Sequence, residues 1–586
     1  MTNIAALFDV VRFLGEQGYY VVFNYGIALL SSILVSYSLF SSPERFVRPA
    51  FMVAVMVMVF YQWPLILFSL TFYEETPNAW WLAISIHSAV LVNFLWVKYT
   101  PHLNNKNIYK KPANNDLAGS FSQFELWFST ILFFILVSAY LYRVPPTCTA
   151  LYSIFFDPGL ALLIRELAVK LVGTNYATYA LSILASTVSP IVIFLAAHMI
   201  YQNCRIRKFV WIPLWFFLII AVVISNLLSG AKGNLIPTFV AVSVAGFLSA
   251  NKWYWRIIIV IILNAMLIFI LSFLSVQRTA MNIPEKKDYQ FGRCVVALNA
   301  CKETKLLLDS LKARDFSLDL TKDTIYHLEK DADNACNPHE NKGVADSIEI
   351  TKTYNLTKSD PTSKITQSEN DTSPIENKNT SHKNLENITS IKEAPRSVSN
   401  LTPTEAFIAS EHNAITGSDR ISALINRAFI TPIVVADWHF LYVAEYGAPG
   451  FSGLSIAKKF TDNYINMPSK ICEIYEFIRS GGDKTSTCTA PTSYLFTYPA
   501  YMGMAGLLLA SLATIAFDII GALIIKYSVP PISYLAVGLM AVAGINFMTA
   551  DFTTVMMSHG AGTSLAILAF FCICRLLIRR SRRKQD

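Results

Sequence analysis

Four arginines and a short acid–histidine pair carry most of the chemistry this sequence offers. Arg165 lies between two apolar runs, Arg278 directly follows another, and Arg420 and Arg427 stand seven apart in DRISALINRAF. Seven residues make two helical turns, so the last two share a face. A guanidinium is a planar donor that grips two phosphate oxygens at once. Several of them on one side of a bilayer suit a polyprenyl pyrophosphate headgroup. Asp437 and His439 follow in ADWHF. A neutral histidine accepts a proton near pH 7, and a carboxylate is the alternative base. His439 is the first candidate and Asp437 the second; packing in an aromatic-rich stretch is the competing role for His439.

Other sites are absent from the sequence. It contains no P-loop, no GxGxxG at a strand–helix junction, no HExxH, no GxSxG and no CxxC pair. A nucleotide-driven pump and a zinc or thioredoxin-like site therefore have no support, and no metal or cofactor is expected. Asp518 is the one carboxylate deep in an apolar run. Such a residue is either functional or hydrogen-bonded to a neighbouring helix. His87 and His198 also sit in apolar runs, as neutral packing residues or as proton relays.

The elements that must position these groups are membrane spans. The chain has 586 residues, 53% apolar and only 15% charged. Its mean hydropathy is +0.42, although soluble domains carry about a quarter charged residues. A span needs about 20 mostly apolar residues. Such runs occur at Tyr19–Phe40, Ala50–Phe72, Ala79–Val97, Phe124–Tyr142, Tyr176–Tyr201, Val210–Leu228, Leu235–Ala250, Ile257–Val276, Tyr498–Ile525, Ile532–Phe547 and Gly560–Ile578. The fold expected is an all-α polytopic membrane protein with about eleven transmembrane helices. Residues 1–18 lack a basic n-region and a small-residue cleavage site, so the first span is expected to act as an uncleaved insertion signal.

The net charge of +8 does not point to nucleic acid, because Lys and Arg fall in alternate short connectors. Arg45 and Arg48, Lys98 to Lys111, Arg205 to Lys208, Lys252 and Arg256, Lys526 and the tail from Arg575 to Lys584 all belong to one side. The positive-inside rule makes that side cytoplasmic, with the N-terminus outside and the C-terminus inside. Residues 1–276 then form an N-terminal bundle of about eight spans. Residues 277–497 form a large outer loop, and residues 498–586 a C-terminal bundle with a basic cytoplasmic tail. Within the loop, 285–410 is polar and too poor in apolar residues to bury a core, so most of it is expected to be disordered. Aromatic residues return over 411–497, which is expected to fold. Five N-x-[ST] sequons occur at Asn355, Asn370, Asn379, Asn387 and Asn400; a stretch this rich in Asn, Ser and Thr produces them by chance. Cys148, Cys294, Cys301, Cys336, Cys472 and Cys488 fall outside, and Cys204, Cys572 and Cys574 inside. Cys472 and Cys488 bracket a compact loop and are candidates for a disulfide, though spacing leaves the pairing open.

Several stretches in order resemble the O-antigen polymerases (oligosaccharide repeat-unit polymerases) of bacterial envelopes. They are FDPGLALLIRELAVKLVG, read as an amphipathic helix capped by Asp157 and Pro158; LLSGAKGNLIP; SVQRTA; DRISALINRAF; YVAEYGAPGFSGLS; and APTSYLFTYPAYMGMAGLLLA. The SGAKGN turn carries Lys232 where relatives often show Arg, which keeps charge without the planar fork. The resemblance implies a membrane-embedded, GT-C-like glycosyltransferase of the bacterial inner membrane. Its donor would be a glycan on undecaprenyl pyrophosphate and its acceptor a new lipid-linked repeat unit. Arg165, Arg278, Arg420, Arg427 and Lys232 would bind pyrophosphate or sugar, and Asp437 and His439 would do the proton transfer. Tyr442, Tyr446 and Tyr494 would offer sugar-stacking faces or simply pack. Expected partners are undecaprenyl-pyrophosphate-linked oligosaccharides, membrane lipid and a chain-length regulator, with no nucleic acid. The rival readings are an O-antigen ligase, a lipid-linked oligosaccharide flippase or other transporter, and a sensor or scaffold acting through the outer loop.

Overall fold

The computed structural model describes residues 18–66, 77–104, 116–149, 151–152, 177–205, 209–228, 235–250, 252–279, 431–479 and 490–583. Every element among them is helical. Hydrocarbon offers no partner for peptide groups, so each long apolar run must satisfy its own backbone. The polar stretch 285–410, the proposed amphipathic helix after Asp157 and the SGAKGN turn lie outside the described residues.

Helix α1 is Gly18–Ser41, α2 Pro49–Ile66, α3 Pro77–Tyr99 and α4 Asp116–Arg143. Helix α5 starts as Ala177–Ile183, passes a π-helical turn at Leu184–Val188 and ends as Ser189–Arg205. Then come α6 Ile212–Asn226, α7 Leu235–Ser249 and α8 Trp253–Thr279. The C-terminal part holds α9 Thr431–Tyr446, α10 Met467–Arg479, α11 Tyr494–Tyr527, α12 Ile532–Phe547, α13 Phe552–Met557 and α14 Ala561–Arg583. Among the described residues, nine helices are long and apolar enough to cross a membrane, and two shorter apolar ones, α7 and α12, accompany them. The chain is thus a polytopic helical membrane protein.

The two short helices form the centre. α7 packs against α12, and α12 is buried along almost its whole length. Gly538 lets them meet: a Cβ there would run into the Ala241 backbone. Small residues at such contacts let membrane helices approach closely. At the other extreme, α8 presents Ile257, Ile261, Ile262, Ile268 and Phe269 on the outside of the bundle, as a lipid-facing helix does.

Charges inside the bundle are paired. Arg48, just before α2, is 1% exposed and Asp518 on α11 is 0% exposed. Arg48 donates from Nε (3.2 Å) and Nη2 to the Asp518 carboxylate. The same carboxylate accepts from Trp96 Nε1 and from the Ala50 amide, each at 2.9 Å. Arg48 Nη1 and Nη2 also reach Thr100 and Asn104. Asp518 therefore takes the structural of its two expected roles. A second pair joins α4 to α14: Arg575 grips both Glu125 oxygens, at 2.6 and 2.8 Å. Arg48 and Arg575 are thus neutralised between helices and are not free loop charges.

The intramembrane histidines are likewise engaged. Ser31 donates to Gln62 Oε1 (3.0 Å), Gln62 Nε2 pairs with His87 Nδ1 (2.9 Å), and His87 Nε2 pairs with Asn24 Oδ1 (2.9 Å). This chain ties α1, α2 and α3 with a neutral imidazole in the middle. His198 pairs with Gln202 one turn away.

Helix α11 is broken near its start. Gly503 has φ 57 and ψ −133, a conformation open almost only to glycine. The piece before it, Tyr494 to Tyr501, is buried throughout and contains Pro499. Gly506 closes the kink, since a Cβ there would overlap the Tyr498 carbonyl. Gly503→Ala and Gly506→Ala are each expected to cost about 1–3 kcal/mol. A thermal scan in detergent against wild type checks this.

Candidate functional site

Asp437, His439, Tyr442 and Tyr446 all sit on α9, which lies against α3 and α11. Ile433, Val434, Ala436 and Phe440 bury one side of it. Gly447, in a left-handed conformation (φ 85), ends it, and its amide returns to the Val443 carbonyl at 3.0 Å. Trp438, Tyr442 and Tyr446 recur every fourth residue and line up along the helix. So do Asp437, Leu441 and Glu445.

Helix α10 covers part of this surface. Tyr475 stacks on Trp438 with ring centroids 5.7 Å apart, and its hydroxyl donates to Glu445 Oε2 at 3.3 Å. Burial and the Glu445 charge hold that hydroxyl firmly protonated. Tyr442 stacks on Tyr446 at 4.9 Å, and Lys470 Nζ lies 5.5 Å from the Tyr442 ring. Tyr442 is buried whereas Tyr446 is 53% exposed. The aromatic row therefore runs from the packed interior to an open ring at the surface.

Asp437 is half-buried and makes no hydrogen bond among the described residues. Burial in this aromatic setting pushes its carboxyl up to about 7. A carboxyl in this state holds a proton at mildly acid pH and releases it near neutrality, as a general base requires.

His439 is placed differently. It is 0% exposed. Its Nε2 lies 3.1 Å from the Ala490 carbonyl, which only accepts, so Nε2 carries the proton. Its Nδ1 then accepts from the Tyr501 hydroxyl at 2.5 Å. Both nitrogens are committed, and burial lowers the imidazole to about 4. The ranking from sequence, His439 before Asp437, is reversed by this geometry: His439 clamps α9 to α11 and to the segment before it. Tyr501→Phe would leave Nδ1 buried without a donor, and is expected to cost about 1–3 kcal/mol in thermal unfolding. Because the folded pKa of His439 lies below its unfolded value of about 6.5, its contribution is fully present above that pH. It is lost as pH falls toward 4.

Tyr494 is also interior. It is 0% exposed, its hydroxyl pairs with Thr514, and its ring meets Tyr498, Phe547 and Phe552 edge-on. As placed it offers no face to a sugar. Arg278 falls in the last turn of α8; its side chain, and the whole of Arg165, Lys232, Arg420 and Arg427, lie outside the described residues. Cys148 and Cys472 are both disulfide-bonded, while Cys204, Cys572 and Cys574 are free; Cys488 lies outside the described residues.

Three features here escaped the sequence reading. Glu445 stands two helical steps of four residues after Asp437 on α9, and its partner Tyr475 lies on α10, where no spacing signals it. Asp551, between α12 and α13, gave no sequence signal beyond its place before a helix. It accepts from the Thr553 amide (2.9 Å) and hydroxyl (2.5 Å), and burial raises its carboxyl against those hydrogen bonds.

No family model, no curated protein and no solved structure matches the chain.

Proposed function

We propose that this protein is a membrane glycosyltransferase that joins lipid-linked oligosaccharide repeat units at the outer face of the bacterial inner membrane, an O-antigen type polymerase. The observation that carries this reading is Asp437. It is a carboxyl tuned to about 7, on a helix whose aromatic row ends in the exposed ring of Tyr446. Carboxylates beside aromatic faces suit sugars, which offer hydroxyl donors and apolar ring faces.

Nine long apolar helices and two shorter ones among the described residues support a count of eleven spans, an odd number with the termini on opposite sides. With basic connectors inside, α9, α10 and Asp551 lie outside. The cysteines agree, since the disulfide-bonded Cys148 and Cys472 fall on the outer side and the free Cys204, Cys572 and Cys574 on the inner. The bundle with a broken helix at its outer rim suits a GT-C-like enzyme.

In the reaction, an acceptor sugar hydroxyl attacks C1 of the donor glycan. Asp437 takes the hydroxyl proton as the new C–O bond forms. The bond from C1 to the pyrophosphate oxygen breaks, its electron pair stays on that oxygen, and undecaprenyl pyrophosphate leaves. Arg165, Arg278, Arg420, Arg427 and Lys232 are assigned to that developing charge, which preorganised donors stabilise. No cofactor enters this scheme.

The buried charges weigh against the transporter alternative. Arg48–Asp518 and Arg575–Glu125 are consumed in pairs between helices, whereas a transport path exposes polar groups along several spans. Glycan gels from cells with and without the protein test the proposal. A polymerase gives a ladder that collapses to one capped repeat when it is removed. A ligase instead leaves lipid-linked polymer uncapped, and a flippase leaves repeat units trapped inside.

A further inference from the structure

Helix α8 is held to the bundle along one edge. Leu263, Leu267 and Ile270 pack against Leu235 and Phe239 of α7, and Gly246 of α7 makes room for Ile259. Only 6% of its span is buried, against 28% or more for each other long apolar helix among the described residues. Most of what it turns outward is apolar and suits lipid.

Asn264 breaks that pattern, because it too is exposed on the outer face. Its Nδ2 donates to the Val260 carbonyl one turn back, at 2.7 Å. Its Oδ1 and second N–H make no hydrogen bond among the described residues. The belt of Trp253, Tyr254 and Trp255, between Lys252 and Arg256, marks the inner interface. Asn264 comes nine residues after Trp255, about 14 Å along the axis. That is close to the middle of a hydrocarbon core about 30 Å thick. Lipid offers an amide no partner at this depth.

The neighbours of Asn264 show what supplies one. Ile257, Ile261, Asn264 and Ile268 follow at intervals of four, three and four, and all are exposed. That spacing is the seam of a coiled coil, in which one Asn among branched apolar residues sets the register. Membrane helices mostly pair at the same left-handed angle. Copies of this chain share one orientation in the bilayer, so two α8 helices meet in parallel about an axis normal to the membrane. A seam residue then meets itself at its own depth. A group that only donates could not pair with itself there, whereas a primary amide carries donors and an acceptor and can.

We infer that α8 is the interface of a homodimer, in which the Asn264 amides of two copies bond reciprocally and Ile257, Ile261 and Ile268 pack on either side of them. The inference does not depend on the glycosyltransferase reading.

The test uses the full chain, labelled once at its C-terminus and diluted into phosphatidylcholine vesicles, with photobleaching steps counted. Wild type is expected to give two-step spots that fall to single steps only at high dilution. Asn264→Leu is expected to raise the dissociation constant about 3- to 30-fold, the usual effect of a polar contact between membrane helices. Leucine suits lipid, so the variant keeps the fold of the single chain, and a thermal scan verifies it. Oxidative cross-linking in native membranes identifies the face. Ile261→Cys lies on the seam and should join two copies; Ile262→Cys, on the next face of the helix, should not. Single-step wild-type spots at every dilution overturn the interface, and so does an unchanged dissociation constant in Asn264→Leu. Cross-linking at Ile262→Cys as strong as at Ile261→Cys, or capture of a different membrane protein by Ile261→Cys in place of a second copy, overturns it as well.

Discussion

Asp437→Asn is expected to slow glycan extension by about 10²- to 10⁴-fold, the usual contribution of a positioned base. The amide keeps the shape of the carboxyl and cannot accept the acceptor's proton. Wild-type rate should rise with pH and level off above about 7, where Asp437 is ionised; Asp437→Asn should lose that rise. Stability should move the other way. The folded pKa lies above the unfolded value of about 3.9, so folding is penalised as pH rises, from nothing below about 4 to its full extent near 7. Asp437→Asn should therefore melt higher than wild type at pH 8 and level with it at pH 4. A residue that only holds the fold would lose stability on substitution. Rate against pH and melting against pH, on the same two proteins, separate the roles.

The largest effect on stability is expected at Arg48 and Asp518. Removing one partner of a buried pair leaves an uncompensated charge and costs about 3–5 kcal/mol. Asp518→Ala would also orphan the Trp96 indole and the Ala50 amide, so it should fall at the upper end. Arg48→Ala strands the carboxylate instead. Replacing both, as Arg48→Met with Asp518→Leu, leaves no buried charge and should recover most of the loss. Membrane yield and thermal inactivation midpoints read the cycle. Singles that behave like the double would mean that the two side chains do not meet.

The spans were the legible part. Each of the eleven apolar runs falls on a helix over its described residues, and Ile532–Phe547 does so at both ends. Hydrophobic runs of this length report lipid directly, with no need to know what packs where. Even the short α7 and α12 stood out, because a helix buried in a bundle is apolar all round. Partnerships across the chain were not legible. Asp518 and Arg48 are 470 positions apart, and no local pattern links them. The same distance effect hid the role of His439. Its residue type suggested a base, but its two nitrogens are fixed by Tyr501 and Ala490, which come from later in the chain. Glu445 on α9 and the stacking of Tyr475 on Trp438 were hidden for the same reason, since Tyr475 comes from α10, a separate helix.

The central claim is that the protein itself forms the glycosidic bond, and reconstitution tests it most directly. Purified wild-type chain and Asp437→Asn would be placed in vesicles with undecaprenyl-pyrophosphate-linked repeat units taken from cells that lack the protein. Glycan length and released undecaprenyl pyrophosphate would be followed together. The account predicts a ladder from wild type, one undecaprenyl pyrophosphate released per bond formed, and almost neither from Asp437→Asn. Repeat units left at their starting length by the folded wild-type protein, or moved across the bilayer without joining, would contradict it.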